Sequence, residues 1–217
     1  RRAERLEVLA QELRDAHGIE VQVLVEDLAS VGAAERIVER IGSSDVDYLV
    51  NNAGLAVGLD KLHEGEIEDW ERMIDTNVKG LLYVSRTVVP LMIDNGSGHV
   101  INIGSMAGKE VYPGGNVYCA TKYAVAALTT RLRIDMLGEN IEVTQLAPGL
   151  VHTEFSKVRF TGDEDRAEKV YEGYRPLEGQ DIADIAFYLT TLPPHVCIND
   201  LVVSTIDQAN SYLVNKS

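Results

Sequence analysis

Apolar residues recur along this chain with two different periods. In the first segment, Leu6, Leu9, Ala10 and Leu13 follow the three- and four-residue spacing of one helix face. Short β-branched runs, of which residues 19–25 are the first, have the composition of buried strands. Helices are predicted at 3–16, 31–41, 66–93, 116–137 and 181–192, and strands at 19–25, 46–50, 99–103, 141–146 and 200–203. A polar tail is predicted after the last strand.

Helices and short apolar strands alternate throughout the chain. This order is typical of a parallel β-sheet covered by helices on both faces, because parallel strands need long crossover connections. Asn77 predicts a break in the helix at 66–93, and Pro90 predicts a kink late in it. Ser30 is predicted to cap the helix at 31–41. Residues 154–180 are charged and poorly patterned, so we predict a substrate lid with a short helix there.

Composition narrows the classes of function. The chain has 217 residues, 45% of them hydrophobic, which suffices for one core and one domain, residues 1–217. A net charge of -14 argues against nucleic acid or an anionic membrane as a partner. Two cysteines cannot build a disulfide framework, and the five histidines show no ligand spacing. We therefore expect a cytoplasmic protein without a metal site.

Distinctive sequences follow four of the predicted strands. They are Asp27, Asn51-Asn52-Ala53-Gly54, Ser105 and Pro148-Gly149. The carboxyl ends of parallel strands share one edge of the sheet, and ligands bind in the crevice outside that edge. The sequence therefore predicts a single ligand site there.

A candidate acid/base pair lies on the helix at 116–137. Tyr118 and Lys122 are four residues apart and share one face of that helix. An ammonium group favours a neighbouring phenolate, so we expect Lys122 to lower the phenol pKa from about 10 into a usable range. The same spacing is common in ordinary amphipathic helices, and the strand-end sequences are what favour the chemical interpretation.

These motifs together resemble the short-chain dehydrogenase/reductase family. They are Asn51-Asn52-Ala53-Gly54, Asn77, Ser105, Tyr118-X-X-X-Lys122, and Pro148-Gly149 with Thr153, in the order and spacing of that family. Further stretches, such as Met73 to Asn77 and Thr153 to Phe160, are similar to the NADP-dependent 3-hydroxy acid dehydrogenases, a group that includes serine and allo-threonine dehydrogenases and malonic semialdehyde reductases. The resemblance implies a Rossmann-type, doubly wound, three-layer α/β/α fold and an oxidoreductase that uses NADP.

The resemblance also implies roles for four catalytic residues. Tyr118 would exchange a proton with the substrate oxygen, and Lys122 would lower its pKa and bind the nicotinamide ribose. Ser105 would hydrogen-bond the substrate oxygen and the Tyr118 hydroxyl, and would stabilise developing charge. Asn77 would hold a water that links Lys122 to solvent. The alternative for Asn77 is a polar helix breaker that satisfies its own backbone.

A larger set of residues is expected to line the cofactor. Arg1 and Arg2 can bind the adenosine 2′-phosphate through bidentate hydrogen bonds, although an exposed helix N-terminus explains them equally simply. Asp27 would accept from the adenine amino group, beside the Leu28 backbone, or it could instead interact with a helix dipole. The remaining expected cofactor-binding residues are Asn51, Ala53, Gly54, Tyr118, Lys122, Pro148, Gly149, Val151 and Thr153.

The substrate is expected to be a small 3-hydroxy acid or its 3-oxo counterpart, bound by Ser105, Tyr118 and Arg159. A carboxylate needs a cation, and Arg159 in the predicted lid is a candidate, with a surface charge on a mobile loop as the alternative. Two other functions stay open. One is reduction of other small carbonyls or 3-oxoacyl groups, and the other is a non-catalytic scaffold.

One departure from the family supports the scaffold alternative. The family opens with a strand and a glycine-rich loop that cradles the pyrophosphate, and no such loop occurs in this sequence. Either the sequence is part of a longer protein, which we expect, or the protein is naturally shortened. The helices at 66–93 and 116–137 pair across a two-fold axis in the family, so the resemblance implies a homotetramer.

Overall fold

Four parallel strands form the central sheet of the computed structural model, which describes residues 2–42 and 45–217. Their order across the sheet is β1-β2-β3-β6. These strands are β1 (Tyr48–Asn51), β2 (Gly98–Ile103), β3 (Ile141–Pro148) and β6 (Asp200–Val203), and a separate two-stranded sheet pairs β4 (Val151–His152) with β5 (Leu177–Glu178). All ladders are parallel. The doubly wound α/β fold expected from the alternation is confirmed.

The described residues form eight α-helices. They are α1 (Ala3–His17), α2 (Ala33–Ile41), α3 (Ile67–Ile74), α4 (Gly80–Asn95), α5 (Asn116–Asp135), α6 (Phe155–Arg159), α7 (Glu164–Lys169) and α8 (Gly179–Leu189). On one face Val100 and Val143 pack with Met92 of α4. On the other, Ile101 and Leu146 pack with Leu189 of α8. The inner strands are apolar on both faces because both faces are covered by helices.

The long helix predicted at 66–93 is interrupted where Asn77 suggested. α3 ends at Ile74, residues Asp75–Lys79 form one turn of π-helix, and α4 continues from Gly80. Pro90 lies inside α4. A π turn contains one residue more than an α turn and often marks a functional site.

Two local predictions are wrong. Residues 19–25 are not a strand, because a strand requires a hydrogen-bonded ladder and no described strand lies beside this β-branched segment. Ser30 does not cap α2, since the N-cap residue is Gly32 with φ 82°. Elsewhere, β6 has the predicted bounds, and the segment predicted as a lid contains α6, α7 and β5.

Two properties of the described residues concern membrane spanning and metal binding. No helix within residues 2–42 and 45–217 is long and apolar enough to cross a membrane. In the same part of the chain, no group of three histidine, cysteine or acidic side chains is arranged to hold a metal ion.

Candidate active site

Tyr118 and Lys122 lie in the first turns of α5, and both side chains are buried. The Lys122 Nζ atom is 6.0 Å from the centroid of the Tyr118 ring. Lys122 also donates a hydrogen bond to the Ile103 carbonyl at the end of β2, at 2.9 Å. The helix and the carboxyl edge of the sheet therefore meet at this pair, as the strand-end sequences predicted.

The electrostatics of the pair differ from the prediction. Burial raises the pKa of Tyr118 to about 12, opposed in part by the Ser105 hydroxyl and the charge of Arg159. Burial lowers the pKa of Lys122 to about 8. The net lowering of the phenol pKa that the Tyr118/Lys122 spacing predicted is not seen, because desolvation of the buried phenolate is the largest influence on the pKa of Tyr118, and the effect of Lys122 on it stays a prediction. Tyr118 is thus a protonated phenol at neutral pH, which suits a proton donor.

Ser105 stands where β2 ends and a short 3₁₀ turn, Met106–Gly108, begins. Its hydroxyl accepts the Ala107 N–H at 3.1 Å and donates to the Pro148 carbonyl at 3.5 Å. These bonds aim the hydroxyl between the ends of β2 and β3. The same hydroxyl favours ionisation of Tyr118, so it faces the phenol as predicted.

Asn77 is buried in the π turn and bonds to two other segments. Its Oδ1 accepts the Leu55 N–H at 2.8 Å, and its Nδ2 donates to the Leu55 carbonyl at 2.8 Å and to Thr121 Oγ1 at 3.0 Å. The alternative that Asn77 satisfies its own backbone is therefore wrong. The side chain ties the loop after β1 to α5, and its expected role in holding a water stays a prediction.

Gly54 lies in that same loop, against the catalytic lysine. A Cβ at this position would lie 3.3 Å from Asn77 Oδ1 and 3.6 Å from Lys122 Nζ. A glycine therefore leaves open the space in front of both polar groups. Ala53 precedes it in the exposed part of the loop.

The Asn51 side chain, expected along the cofactor, bonds into the protein through its amide nitrogen, and its contact with the cofactor stays a prediction. Its Nδ2 donates to Asn102 Oδ1 at 2.8 Å and to Ser85 Oγ at 3.2 Å. Asn102 in turn donates to Thr129 Oγ1 on α5 at 3.0 Å. This buried chain fixes β1 against β2 and α5, so Asn51 contributes to the site by positioning the loop that follows it.

The adenine-side candidates lie before α2. Asp27 Oδ1 accepts the Ala29 N–H at 3.2 Å, a bond that shapes the turn leading into the helix. The Leu28 side chain packs with Ala34, Val84 and Val88. These contacts give both residues structural roles, and their contact with adenine stays a prediction.

Arg1 lies outside the described residues, and Arg2 is paired with an acidic side chain. Arg2 and Arg5 each donate to Glu154 Oε2 at 2.6 Å. The two hydrogen bonds lower the pKa of Glu154 to about 2. The first turn of α1 therefore presents two guanidinium groups around one anion, and Arg5 is a neighbour that the sequence prediction missed.

The segment after β3 follows the cofactor prediction only in part. The Gly149 N–H donates to the Val203 carbonyl at 2.7 Å, and the Leu150 N–H donates to Gln208 Oε1 at 2.9 Å. A Cβ on Gly149 would clash with that Gln208 oxygen, so the position requires glycine. Thr153 Oγ1 accepts the N–H of Phe155, the first residue of α6, at 3.2 Å.

A cavity of about 100 Å³ lies between these segments. Ser105 and Tyr118 border it together with Arg159. Its other lining residues are Met106, Ala107, Tyr112, Gly149, Leu150, Val151, Phe155, Ser156, Val170, Tyr171, Gln208 and Ser211. Sequence reasoning missed Tyr112, Gln208 and Ser211, because it assigned residues after β6 to a polar tail and attached no role to the aromatic residue before Pro113.

Arg159 points into this cavity. Its guanidinium carbon is 5.2 Å from the Tyr118 ring centroid, and its Nη2 donates to the Tyr112 hydroxyl. Its Nε is buried and has no hydrogen-bond partner in the described part of the chain. The alternative of a surface charge on a loop is therefore wrong, because Arg159 is a half-buried cation on α6 with a buried, unused donor beside the candidate acid.

Comparisons with known proteins agree with this geometry. Residues 1–164 match the family described as short chain dehydrogenase. The NADP-dependent 3-hydroxy acid dehydrogenase YdfG of Escherichia coli O6:H1 is 45% identical over 212 residues, which cover 96% of this chain and 84% of that protein. Sulfoacetaldehyde reductase 2 of Chromohalobacter salexigens is 40% identical over 212 residues, covering 96% of this chain and 83% of that protein.

A solved structure is similar along the whole chain. The closed form of serine dehydrogenase complexed with NADP+ superimposes with a TM-score of 0.91 at 43% identity, covering 100% of this chain and 87% of that one. The catalytic motifs, the parallel sheet and these matches all lead to one assignment. The chain belongs to the short-chain dehydrogenase/reductase family.

Proposed function

We propose that this protein is an NADP-dependent dehydrogenase that interconverts a small 3-hydroxy acid and its 3-oxo acid. Family membership supports oxidoreductase chemistry at a hydroxyl-bearing carbon. Relatives named as NADP-dependent 3-hydroxy acid dehydrogenases and a similar structure complexed with NADP+ support the choice of cofactor and substrate.

The observation that carries the proposal is the half-buried guanidinium of Arg159 in the cavity of Ser105 and Tyr118, whose Nε is buried without a partner in the described residues. A buried charged donor without a partner is unfavourable unless an acceptor joins it. A carboxylate supplies that acceptor and a second oxygen in a geometry that matches arginine. The substrate would therefore bind with its acid group at Arg159 and its reacting oxygen at Ser105 and Tyr118.

Each catalytic side chain has a role that follows from its contacts. In the reducing direction the protonated Tyr118 gives its proton to the substrate oxygen, and the Ser105 hydroxyl donates a hydrogen bond to the same oxygen. In the oxidising direction Tyr118 must first lose its proton, which its raised pKa opposes. Oxidation should therefore accelerate as the pH rises.

The residues present fit the cofactor. One of the three N–H donors of Lys122 bonds to the Ile103 carbonyl. The ammonium group also faces the space that Gly54 leaves open. Arg2 and Arg5 already converge on a carboxylate oxygen, so the same pair can bind a phosphate. The remaining cofactor contacts would come from Asp27, Leu28, Asn51, Ala53, Pro148, Gly149, Val151 and Thr153. NADP, when bound, supplies or accepts the hydride.

The volume of the cavity and the residues around it help to choose among the alternative functions. A volume of about 100 Å³ favours a small acid over a 3-oxoacyl thioester. A sulfonate is also a small anion, and one relative is named a sulfoacetaldehyde reductase. A scaffold without catalysis does not account for an assembled set of Ser105, Tyr118 and Lys122 beside an arginine with a buried, unused donor.

The proposal also includes the domain bounds, the lid segment, the oligomeric state and the cellular compartment of the protein. Residues 1–217 act as one cofactor-binding and catalytic domain, and residues 154–180 act as its lid, which brings Arg159 to the substrate. The protein assembles as a cytoplasmic homotetramer through the helices that carry the exposed Leu82 and Ile134. A monomer in light scattering would contradict the assembly.

Arg159→Ala tests the substrate class. The variant should raise KM for 3-hydroxypropanoate about 10- to 100-fold, since a hydrogen bond to a charged group contributes about 1.5–3 kcal/mol. It should leave an uncharged alcohol nearly unaffected. Lys157→Ala is the matched control, because Lys157 lies on the same helix but pairs with Glu164 at 2.9 Å outside the cavity. Equal effects of Arg159→Ala on both substrates would refute the assignment.

Quenching of tryptophan fluorescence, to which Trp70 contributes, tests the cofactor in the full-length protein. NADPH should bind more tightly than NADH. Binding of neither nucleotide would instead support the scaffold alternative.

A further inference from the structure

Residues 207–215 form a small hairpin that reaches the active-site cavity. The Ala209 N–H donates to the Leu213 carbonyl at 3.0 Å, and the Asn215 N–H donates to the Asp207 carbonyl at 2.8 Å. Gln208 and Val214 form an antiparallel bridge between these two bonds. The segment that sequence reasoning treated as a polar tail is therefore a closed unit, called here the 207–215 hairpin.

The turn of the 207–215 hairpin is built around Asn210. Its Oδ1 accepts the backbone N–H groups of Tyr212 at 3.0 Å and Leu213 at 2.7 Å. An asparagine side chain that bonds in this way stabilises a tight turn. Ser211 is thereby placed at the tip of the hairpin.

Two further contacts fix the hairpin against the site. The buried Gln208 side chain accepts from the Leu150 N–H and donates to the Asn210 carbonyl at 3.1 Å. The Ser211 N–H donates to Glu110, which follows the turn that begins at Ser105, at 3.0 Å. The hairpin is thus anchored to segments on both sides of the cavity.

The side chain of Ser211 borders the cavity and does not bond to a partner in the described residues. Its hydroxyl is buried. Arg159 Nε borders the same cavity in the same condition. A buried hydroxyl without a partner is unfavourable, so its presence in a cavity indicates a polar group on the bound molecule.

We infer that Ser211 is a specificity-determining residue, whose hydroxyl bonds to a hydroxyl or amino substituent at C2 of the substrate. This inference rests on the proposed function, in which the C3 oxygen binds at Ser105 and Tyr118 and the carboxylate binds at Arg159. C2 is the only carbon between those two groups. The substrate class is then a 3-hydroxy acid with a second polar group, of which serine and glycerate are examples.

The experiment compares kcat/KM for serine, glycerate and 3-hydroxypropanoate in the full-length protein and in Ser211→Ala. The variant should lose about tenfold in kcat/KM with serine and glycerate, and should change less than about twofold with 3-hydroxypropanoate, which has no C2 substituent. Ser211→Thr, which keeps a hydroxyl, should restore most of the loss. Thr205→Val is the matched control, because the Thr205 hydroxyl is also buried and without a partner in the described chain but does not border the cavity.

The outcomes separate this inference from the proposed function. Turnover of all three substrates with an equal effect of Ser211→Ala on each would overturn the role of Ser211 and leave the proposed function standing. A selective loss that Thr205→Val also produces would overturn it as well. If the wild type turns over none of the three acids, the proposed function is wrong, and the assignment of Ser211 is wrong with it.

Discussion

Replacing Lys122 with methionine should make the folded protein more stable at neutral pH while removing its activity. Lys122 is a buried cation, and the one hydrogen bond described for its ammonium group goes to the Ile103 carbonyl. Burial without an anion lowers its pKa from 10.5 to about 8. Methionine has a similar length and no charge, so the variant avoids the free-energy cost of desolvating the ammonium group.

The size of the effect follows from the lowered pKa. A tenfold change in a proton-binding constant corresponds to about 1.4 kcal/mol. Lowering the pKa of Lys122 from 10.5 to about 8 therefore means that the charged side chain destabilises the folded state by about 3 kcal/mol. The variant also leaves the Ile103 carbonyl without its donor, which costs about 1 kcal/mol. A net gain of about 2 kcal/mol in the free energy of unfolding is expected at about pH 7.

The pH dependence of this stability difference shows whether desolvation of Lys122 is its cause. Because the folded-state pKa lies below the unfolded one, the penalty is complete below about pH 8 and disappears as the pH rises toward 10.5. The advantage of Lys122→Met should therefore be largest at neutral pH and close to zero by about pH 9.5. Other titrating groups are common to both proteins, so they cancel in the difference.

Urea unfolding at both pH values measures the difference. Lys79→Met is the control, because Lys79 is exposed and pairs with Asp75 at 2.6 Å, and this variant should gain no stability. A Lys122→Met variant that is less stable than the wild type at neutral pH would refute the reasoning. An advantage that stays constant up to about pH 9.5 would refute it equally.

Three further substitutions test other parts of the site. Asn77→Ala leaves the buried N–H and carbonyl of Leu55 unpaired and should lower the free energy of unfolding by about 2–4 kcal/mol in urea titrations, whereas a change below about 1 kcal/mol would contradict its positioning role. Gly149→Ala should lower kcat/KM because the new Cβ clashes with Gln208 Oε1, and adding Gln208→Ala should restore part of the loss if that clash is the cause. Tyr118→Phe should lower kcat by about 10²- to 10⁴-fold in the reducing direction with NADPH quenching intact, and a smaller loss would exclude Tyr118 as the proton donor.

Much of the fold was predictable because hydrophobic spacing is a local property. The run at 200–203 is bounded by polar residues and forms β6 exactly there. The polar Asn77 inside an apolar helix marked the π turn. The strand predicted at 19–25 failed because pairing depends on what lies beside a segment, which its own composition does not reveal.

The candidate residues of the site were predictable from the sequence, but the competing electrostatic effects on them were not. Helical spacing brought Tyr118 and Lys122 together, yet only burial decides the direction in which the pKa of each group is shifted. The direction of Arg159 depends on how α6 packs. Gln208 and Ser211 were missed because a short polar stretch without periodicity is read as a tail, and its role depends on backbone bonds to distant segments.

The π turn at Asp75–Lys79 also sets the rotational phase between two helices. Each residue turns an α-helix by about 100°, so one additional residue rotates everything after it by that angle. Before the turn, Met73 packs beside Leu55 and Tyr118. After it, Val84 and Val88 pack on Ala34 of α2. Deleting one residue would restore regular α-helical bonding but turn the apolar stripe of α4 away from its partners, so the irregular turn lets one continuous helical segment serve both the site and the core.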